Sequence, residues 1–592
     1  MKRFFGLHMA EEFKVATVVA AVTLAVQPSL AHAQSAVDGA IRQAEQIDRF
    51  QSQQERLRED ELLRQTKQAP SGEGAVAPLA TSSSSGETCI EVNRIAVSGV
   101  SLIPASRISQ TLSQWEGRCL GLAELNSALE AITFLYVDRG YVSSRAYLPE
   151  QDLADGSLDV LVIEGKLETI TLNGKQPADP QIATAFPGLP GKPVNLRDIE
   201  QGLDQINRLR SNKATIALAA GKAQGGSVLD VKVEKTRPWH FSMSSDNLGS
   251  LSTGRYQTRA DFGADNILGL NDEWQIGYQR SMERHPLRFG AARPNGNSLT
   301  GSVSIPYGYW TFGLNASWSD YRSSITGLVS QIETSGGSLS FAPFVTRILH
   351  RDQISKTWLT GRLTWKENEN FVLGSKVDVS SRVLSVATLE LGHSRQLLGG
   401  QASGSLGYHR GLKMLGAFDD SSAPEGSPKG QFEKLSASLG YQRAFDLGAT
   451  AMIFSSNLSG QWSPDDVFGS EQISAGGYST VRGVREAVLY ADTGIVMRNE
   501  LSLLLPGFGD GRAAEVLGRL EPYAAIDLGH TVSDASGNSL GGNLVGAAVG
   551  LRNRGGRINF DVSYSDILSM PDLPSGSVPS SGLVQARMSI SF

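Results

Sequence analysis

Arg482 lies in Gly476-Gly477-Tyr478-Ser479-Thr480-Val481-Arg482-Gly483. Glycines allow a tight backbone path there, and a guanidinium between them can be gripped by a carboxylate. Composition alone also fits a solvated surface arginine. Asp527 is the carboxylate best placed by pattern: from Tyr523 to Gly529, Ala524, Ile526 and Leu528 share one side of a strand, and Tyr523, Ala525 and Asp527 share the other. The chemistry on offer is ion pairing rather than catalysis. Gly537-Asn538-Ser539-Leu540-Gly541 has the spelling of a nucleophile elbow but no strand-turn-helix around it and no acid-base partner. Neither a Walker P-loop nor an HExxH metal site is present, so no nucleotide, metal or other cofactor is expected.

The elements that must carry Arg482 and Asp527 are strands. At the carboxy terminus Val584, Ala586, Met588, Ile590 and Phe592 alternate with Gln585, Arg587, Ser589 and Ser591. A soluble sheet could bury one such face. The pattern recurs, however, in Ile558 to Ser565, Lys434 to Gln442 and Thr311 to Trp318, and no long amphipathic helix follows Trp239 to cover the apolar sides. Dyad-patterned strands without helices predict a transmembrane β-barrel, with lipid outside and water inside. The roughly 355 residues after Thr236, at about 22 per strand and connection, make room for ~16 antiparallel strands. With both ends of the barrel on one side of the membrane, Ser463 to Thr493 becomes the sixth outer loop.

The rest of the chain fits export. Lys2, Arg3 and Lys14 precede an apolar run, Val15 to Val26, and Ala31-His32-Ala33 offers small residues for cleavage, so 1–33 reads as a signal peptide. In the oxidising periplasm Cys89 and Cys119, the only cysteines, can pair; with no CxxC spacing the bridge is structural. A net charge of −6 over 592 residues shows no concentrated basic face for nucleic acid. Residues 34–67 have thin helical periodicity, and 68–88 have the Pro, Gly and Ser content of a flexible tether.

Two small α+β modules are expected between tether and barrel, at 89–165 and 166–236. The first reads strand Ile90 to Val97, two helices, then strands Tyr141 to Leu148 and Leu158 to Ile163. The second repeats the plan with a strand at Leu167 to Leu172, a helix through Leu196, Ile199, Leu203 and Ile206, and two strands.

Here the chain resembles a known family. Asp138-Arg139-Gly140-Tyr141, Leu148-Pro149-Glu150-Gln151-Asp152-Leu153 before Gly156, and Glu164-Gly165 are similar to the first polypeptide-transport-associated (POTRA) domain of two-partner secretion transporters. Glu200 to Leu209 resembles the helix of the second. The resemblance implies a plug helix at 34–67, a linker at 68–88, two POTRA domains and a 16-stranded outer-membrane barrel at 237–592. It also implies that Val481-Arg482-Gly483 is a pore-loop motif folded back into the barrel. The family's Phe-x-Asp-x-Gly pattern matches at Asp527 and Gly529 but not at Ala525, and Val484 stands where an aromatic usually follows the loop motif. An Arg482–Asp527 ion pair pinning the loop is therefore expected. The implied function is export of a large cognate exoprotein (adhesin, cytolysin or toxin type), recognised in the periplasm by POTRA residues that no motif identifies. The alternatives are a barrel-assembly factor of the same superfamily and a general porin.

Overall fold

The computed structural model describes residues 43, 89–153, 155–175, 179–283, 294–326, 331–424, 426–507, 511–533, 539–572 and 582–592. The expected leader and tether, and all of 34–67 except Gln43, lie outside the described residues.

The first module runs β1 (Ile90–Val92), β2 (Arg94–Ser98), α1 (Ala105–Leu112), β3 (Arg118–Leu120), α2 (Leu122–Asp138), β4 (Arg145–Tyr147) and β5 (Ser157–Ile163). The single strand expected from Ile90 to Val97 is split at Asn93. Beyond the split the two pieces take different partners: β1 pairs antiparallel with β3, and β2 runs parallel to β5. The strand expected from Tyr141 shortens to β4 because its first residues cap α2. Gly140, at φ +88°, donates to the Val137 carbonyl, and Tyr141 donates to that of Tyr136 at 2.9 Å, which is the left-handed glycine stop of a helix. The carbonyl of Gly140 in turn accepts from Leu196 of the second module at 2.7 Å, so this turn also joins the two modules.

Leu112, Leu120, Ile132, Tyr136 and Leu158 form the buried centre. Glu164 closes it: burial pushes its carboxyl up, but the hydroxyl and N–H of Ser101, the N–H of Leu102 and the hydroxyl of Tyr136 all donate to it and hold it below the usual range. Cys89 and Cys119 are joined by a disulfide across a sequence separation of 30. Replacing both by serine should destabilise this module by roughly 3 kcal/mol through the freed loop entropy. The check is faster amide exchange in β1 and β3 of the full-length protein, with the barrel unchanged.

The second module comprises β6 (Lys166–Leu172), α3 (Pro180–Ala185), α4 (Leu196–Asn207), β7 (Asn212–Ala220) and β8 (Gly226–Lys235), with sheet order β6-β8-β7. Helix α3 was not foreseen, because six residues carry too little periodicity to read. Its cap is nonetheless clear: Asp179 accepts from the N–H of Gln181 at 2.9 Å, and Pro180 opens the helix.

Sixteen strands then form a closed barrel in which each is antiparallel to its neighbours. The first, Trp239–Asp246, closes against the last, Leu583–Ser591. Alternation decides which side chains face out: Val584 is 61% exposed and Ile526 53% exposed, while inward Tyr523 is 5% exposed. Such an apolar outer band is what a wall facing hydrocarbon requires. Three inward rings, Phe344, Trp358 and Tyr523, lie flat over Gly313, Gly392 and Gly550 on the adjacent strand, where no Cβ intervenes. Large aromatics thereby line the wall without filling the bore.

Candidate functional site: the pore loop and its anchor

Residues 463–493 connect the eleventh strand (Thr450–Trp462) to the twelfth (Gly494–Leu504). The loop turns inward as a hairpin, with Ile473 opposite Ala491 and Ala475 opposite Leu489. Its tip has an apolar core of its own: Ala475, Val481, Val484 and Leu489 are buried together against wall residues Val496 and Leu544. The expected aromatic site is thus occupied by Val484 inside this cluster.

Arg482 is 2% exposed and meets an Asp527 that is fully buried. Its Nε donates to Oδ2 at 2.6 Å, its Nη2 to Oδ1 at 2.8 Å and its main-chain N–H to Oδ2 at 3.1 Å. A two-pronged fork of this kind is the strongest and most directional pairing a guanidinium makes. Asp527 sits in the thirteenth strand (Arg519–Thr531), where alternation turns it inward.

The sequence reading missed the rest of the network. Nη1 of Arg482 donates to Glu500 at 2.9 Å; Glu500 pairs with Arg552 at 2.6 Å; Arg552 pairs with Glu521, and Glu521 with Arg554 at 2.9 Å. Charges alternate in sign from the loop across strands twelve to fourteen. The available signal was that Glu500 and Arg552 fall on the inward parity of their strands.

Three glycines make room for the loop. Gly483, at φ +115°, lays its backbone against Asp566 and Ile567. A Cβ on Gly529 would meet that of Ala475 at 2.6 Å, and one on Gly546 would strike the Arg482 carbonyl. Gly546 is the register partner of Asp527, so the strand beside the anchor is bare just where the loop backbone arrives. Ser539, from the elbow-like pattern, donates to Asp492 at 3.4 Å at the base of the loop, while Gly537 and Asn538 lie outside the described residues.

At the opposite mouth, α4 lies across the barrel's turns. Gln201, Asp204, Gln205 and Arg208 share one helical face. Gln201 and Gln205 both donate to the Gly308 carbonyl, at 3.1 and 2.8 Å. Asp204 pairs with Arg351 and with Lys356, and Arg208 donates to the Asn271 carbonyl at 2.6 Å. The polar residues of the Glu200 to Leu209 motif therefore dock the module onto the barrel. Asp204→Ala should raise protease sensitivity at residues 236–238 about tenfold or more, because it removes the charge-assisted contacts to both Arg351 and Lys356.

A family model described as haemolysin secretion/activation protein ShlB/FhaC/HecB matches residues 225–553. The chain belongs to this family of two-partner secretion transporters. POTRA models match 90–165, where the type is ShlB, and 166–220. The transporter is 32% identical over 510 residues to the outer membrane transporter CdiB of Dickeya dadantii, covering 86% of each chain. It is 30% identical over 507 residues to the hemolysin transporter protein ShlB of Serratia marcescens, covering 85% of this chain and 86% of that one. The solved structure of CdiB from Escherichia coli superposes with a TM-score of 0.82 at 32% identity, over 92% of this chain and 99% of that one. The transporter is thus an outer-membrane barrel with periplasmic POTRA domains, acting with a cognate secreted exoprotein.

Proposed function

We propose that the POTRA pair captures the unfolded amino-terminal region of an adhesin-, cytolysin- or toxin-type exoprotein and feeds it into a pore closed at rest by residues 34–67 and by the loop 463–493. Strand addition at an exposed sheet edge, β4 or β7, is the recognition mode that suits an unfolded chain. The transporter performs no catalytic step; folding of the exoprotein outside the cell gives transport its direction, and the barrel's outer band rests in acyl chains.

The observation that carries the closed pore is Gln43. Its Nε2 donates to Ser323 Oγ at 3.1 Å, and its Oε1 accepts from Thr334 Oγ1 at 3.0 Å; both partners face inward on paired barrel strands. A tether of ~21 residues spans up to about 70 Å when extended, enough to bring 34–67 past the modules and into the bore. Deleting 34–67 should raise single-channel conductance several-fold in planar bilayers, and unaltered conductance would refute the plug. For the function itself, the transporter is co-expressed with a candidate cognate exoprotein, with and without residues 89–236. The deletion should abolish appearance of the exoprotein in the medium while the barrel remains folded. Undiminished release would remove recognition from the POTRA domains.

A further inference from the structure

The tip of the pore loop also grips the barrel at its closure, between the first and sixteenth strands. This closure is the shortest ladder in the wall: Ser242 to Asp246 face Arg587 to Ser591 in five residue pairs, whereas every other pair of neighbouring barrel strands shares eight or more. The first strand stops at Asp246, and Leu583 to Ala586 of the last strand run on past it.

Asn247 covers that overhang. Its N–H donates to the Ala586 carbonyl at 3.2 Å, its Oδ1 accepts from the Ala586 N–H at 2.9 Å and its Nδ2 donates to the Val584 carbonyl at 3.0 Å. A side-chain amide offers one acceptor and two donors, so it can stand in for a missing strand residue. The carbonyl of the same Asn247 accepts from Arg485 Nη1 at 2.6 Å, and four residues on the N–H of Leu251 donates to Glu486 at 2.5 Å. Arg485 and Glu486 follow Arg482-Gly483 with only Val484 between them. One rigid tip therefore holds Asp527 with one arginine and the closure's last zipper residue with the next.

We propose that the docked pore loop latches the barrel closure through Asn247, and that its withdrawal unzips the outer end of that closure at Val584 and Ala586. Arg485 and Asn247 are positioning residues: they hold main chain, and the seam's opening follows from where the loop sits. The opened lip would expose the N–H of Ala586 and the carbonyl of Val584 at the outer rim, where water can replace the lost bonds.

Amide exchange in the full-length protein in nanodiscs reads this directly. The N–H of Ala586 reports the outer end; that of Phe592, which donates to the Phe241 carbonyl at 2.9 Å, reports the inner end of the same closure. Arg485→Ala and Arg482→Ala should each speed exchange at Ala586 about tenfold and leave Phe592 unchanged, as a local opening does. Asn247→Ala should do at least as much. If Ala586 keeps the parental rate in Arg485→Ala while Asn247→Ala is accelerated, Asn247 is only an edge cap and the latch is overturned. Equal acceleration at Ala586 and Phe592 also overturns it, since that is general loosening of the wall. Should Asn247→Ala fail to fold, the two arginine variants decide between the same outcomes.

Discussion

With Arg482 replaced by alanine, the transporter should stop exporting its exoprotein, and its pore should conduct more in planar bilayers. The substitution removes three side-chain hydrogen bonds and strands the fully buried carboxylate of Asp527, while Glu500 keeps Arg552. Removing one partner of a buried pair costs about 3 kcal/mol or more, and that shifts the ratio of docked to withdrawn loop by roughly a hundredfold or more. Asp527→Ala should do less, because Arg482 keeps Glu500. Arg482→Lys should resemble the alanine variant, since an ammonium cannot fill both oxygens of Asp527 in the same plane. The double variant should recover part of the lost stability without recovering export, because no uncompensated charge remains and no anchor does either. Parental secretion and conductance in both single variants would remove the anchoring role.

Gly546→Leu should give the same phenotype by steric means, with every charge in place. A side chain at 546 would collide with the main-chain carbonyl of Arg482 and with Val481. The strand is the better-held part: Gly546 is paired with Asp527 on one side and with Ile567 of the fifteenth strand on the other, where the register shifts between Val545 and Gly546. The loop, held by a few side chains, is the part that moves. Export should fall about as far as in Arg482→Ala, while the barrel retains its resistance to unfolding in detergent. Gly546→Ala should already show part of the effect, because the clash begins at Cβ. A Gly546→Leu protein that secretes normally would mean that the loop is not docked during the resting state.

One half of the Arg482–Asp527 pair was readable from parity, and the other half from the family resemblance of Val481-Arg482-Gly483. Once Ala524, Ile526 and Leu528 are assigned outward, Asp527 must face the bore, and the structure places Arg482 against it. Glu500 and Arg552 obey the same rule but resemble any inward polar residue of a wet channel, so their pairing was invisible before the strand register was known. Gly546 offered less still, since its meaning lies in a neighbour 64 positions earlier in the chain. The sixteen strands were countable from length and alternation. The errors fell in the first module, where short pieces such as β1 and β2 change partners at Asn93 within one apolar run. The motif Glu200 to Leu209 was recognised as a helix, but its buried glutamines have no apolar periodicity to reveal that they face the barrel.

Both Gln201 and Gln205 read the carbonyl of Gly308, an atom in the bend that exists only once Asn295–Tyr307 and Trp310–Thr326 have paired. Helix α4 consequently has no berth on a nascent precursor. The seating of the second module is a certificate that this hairpin of the wall has closed, issued at the rim that carries the modules.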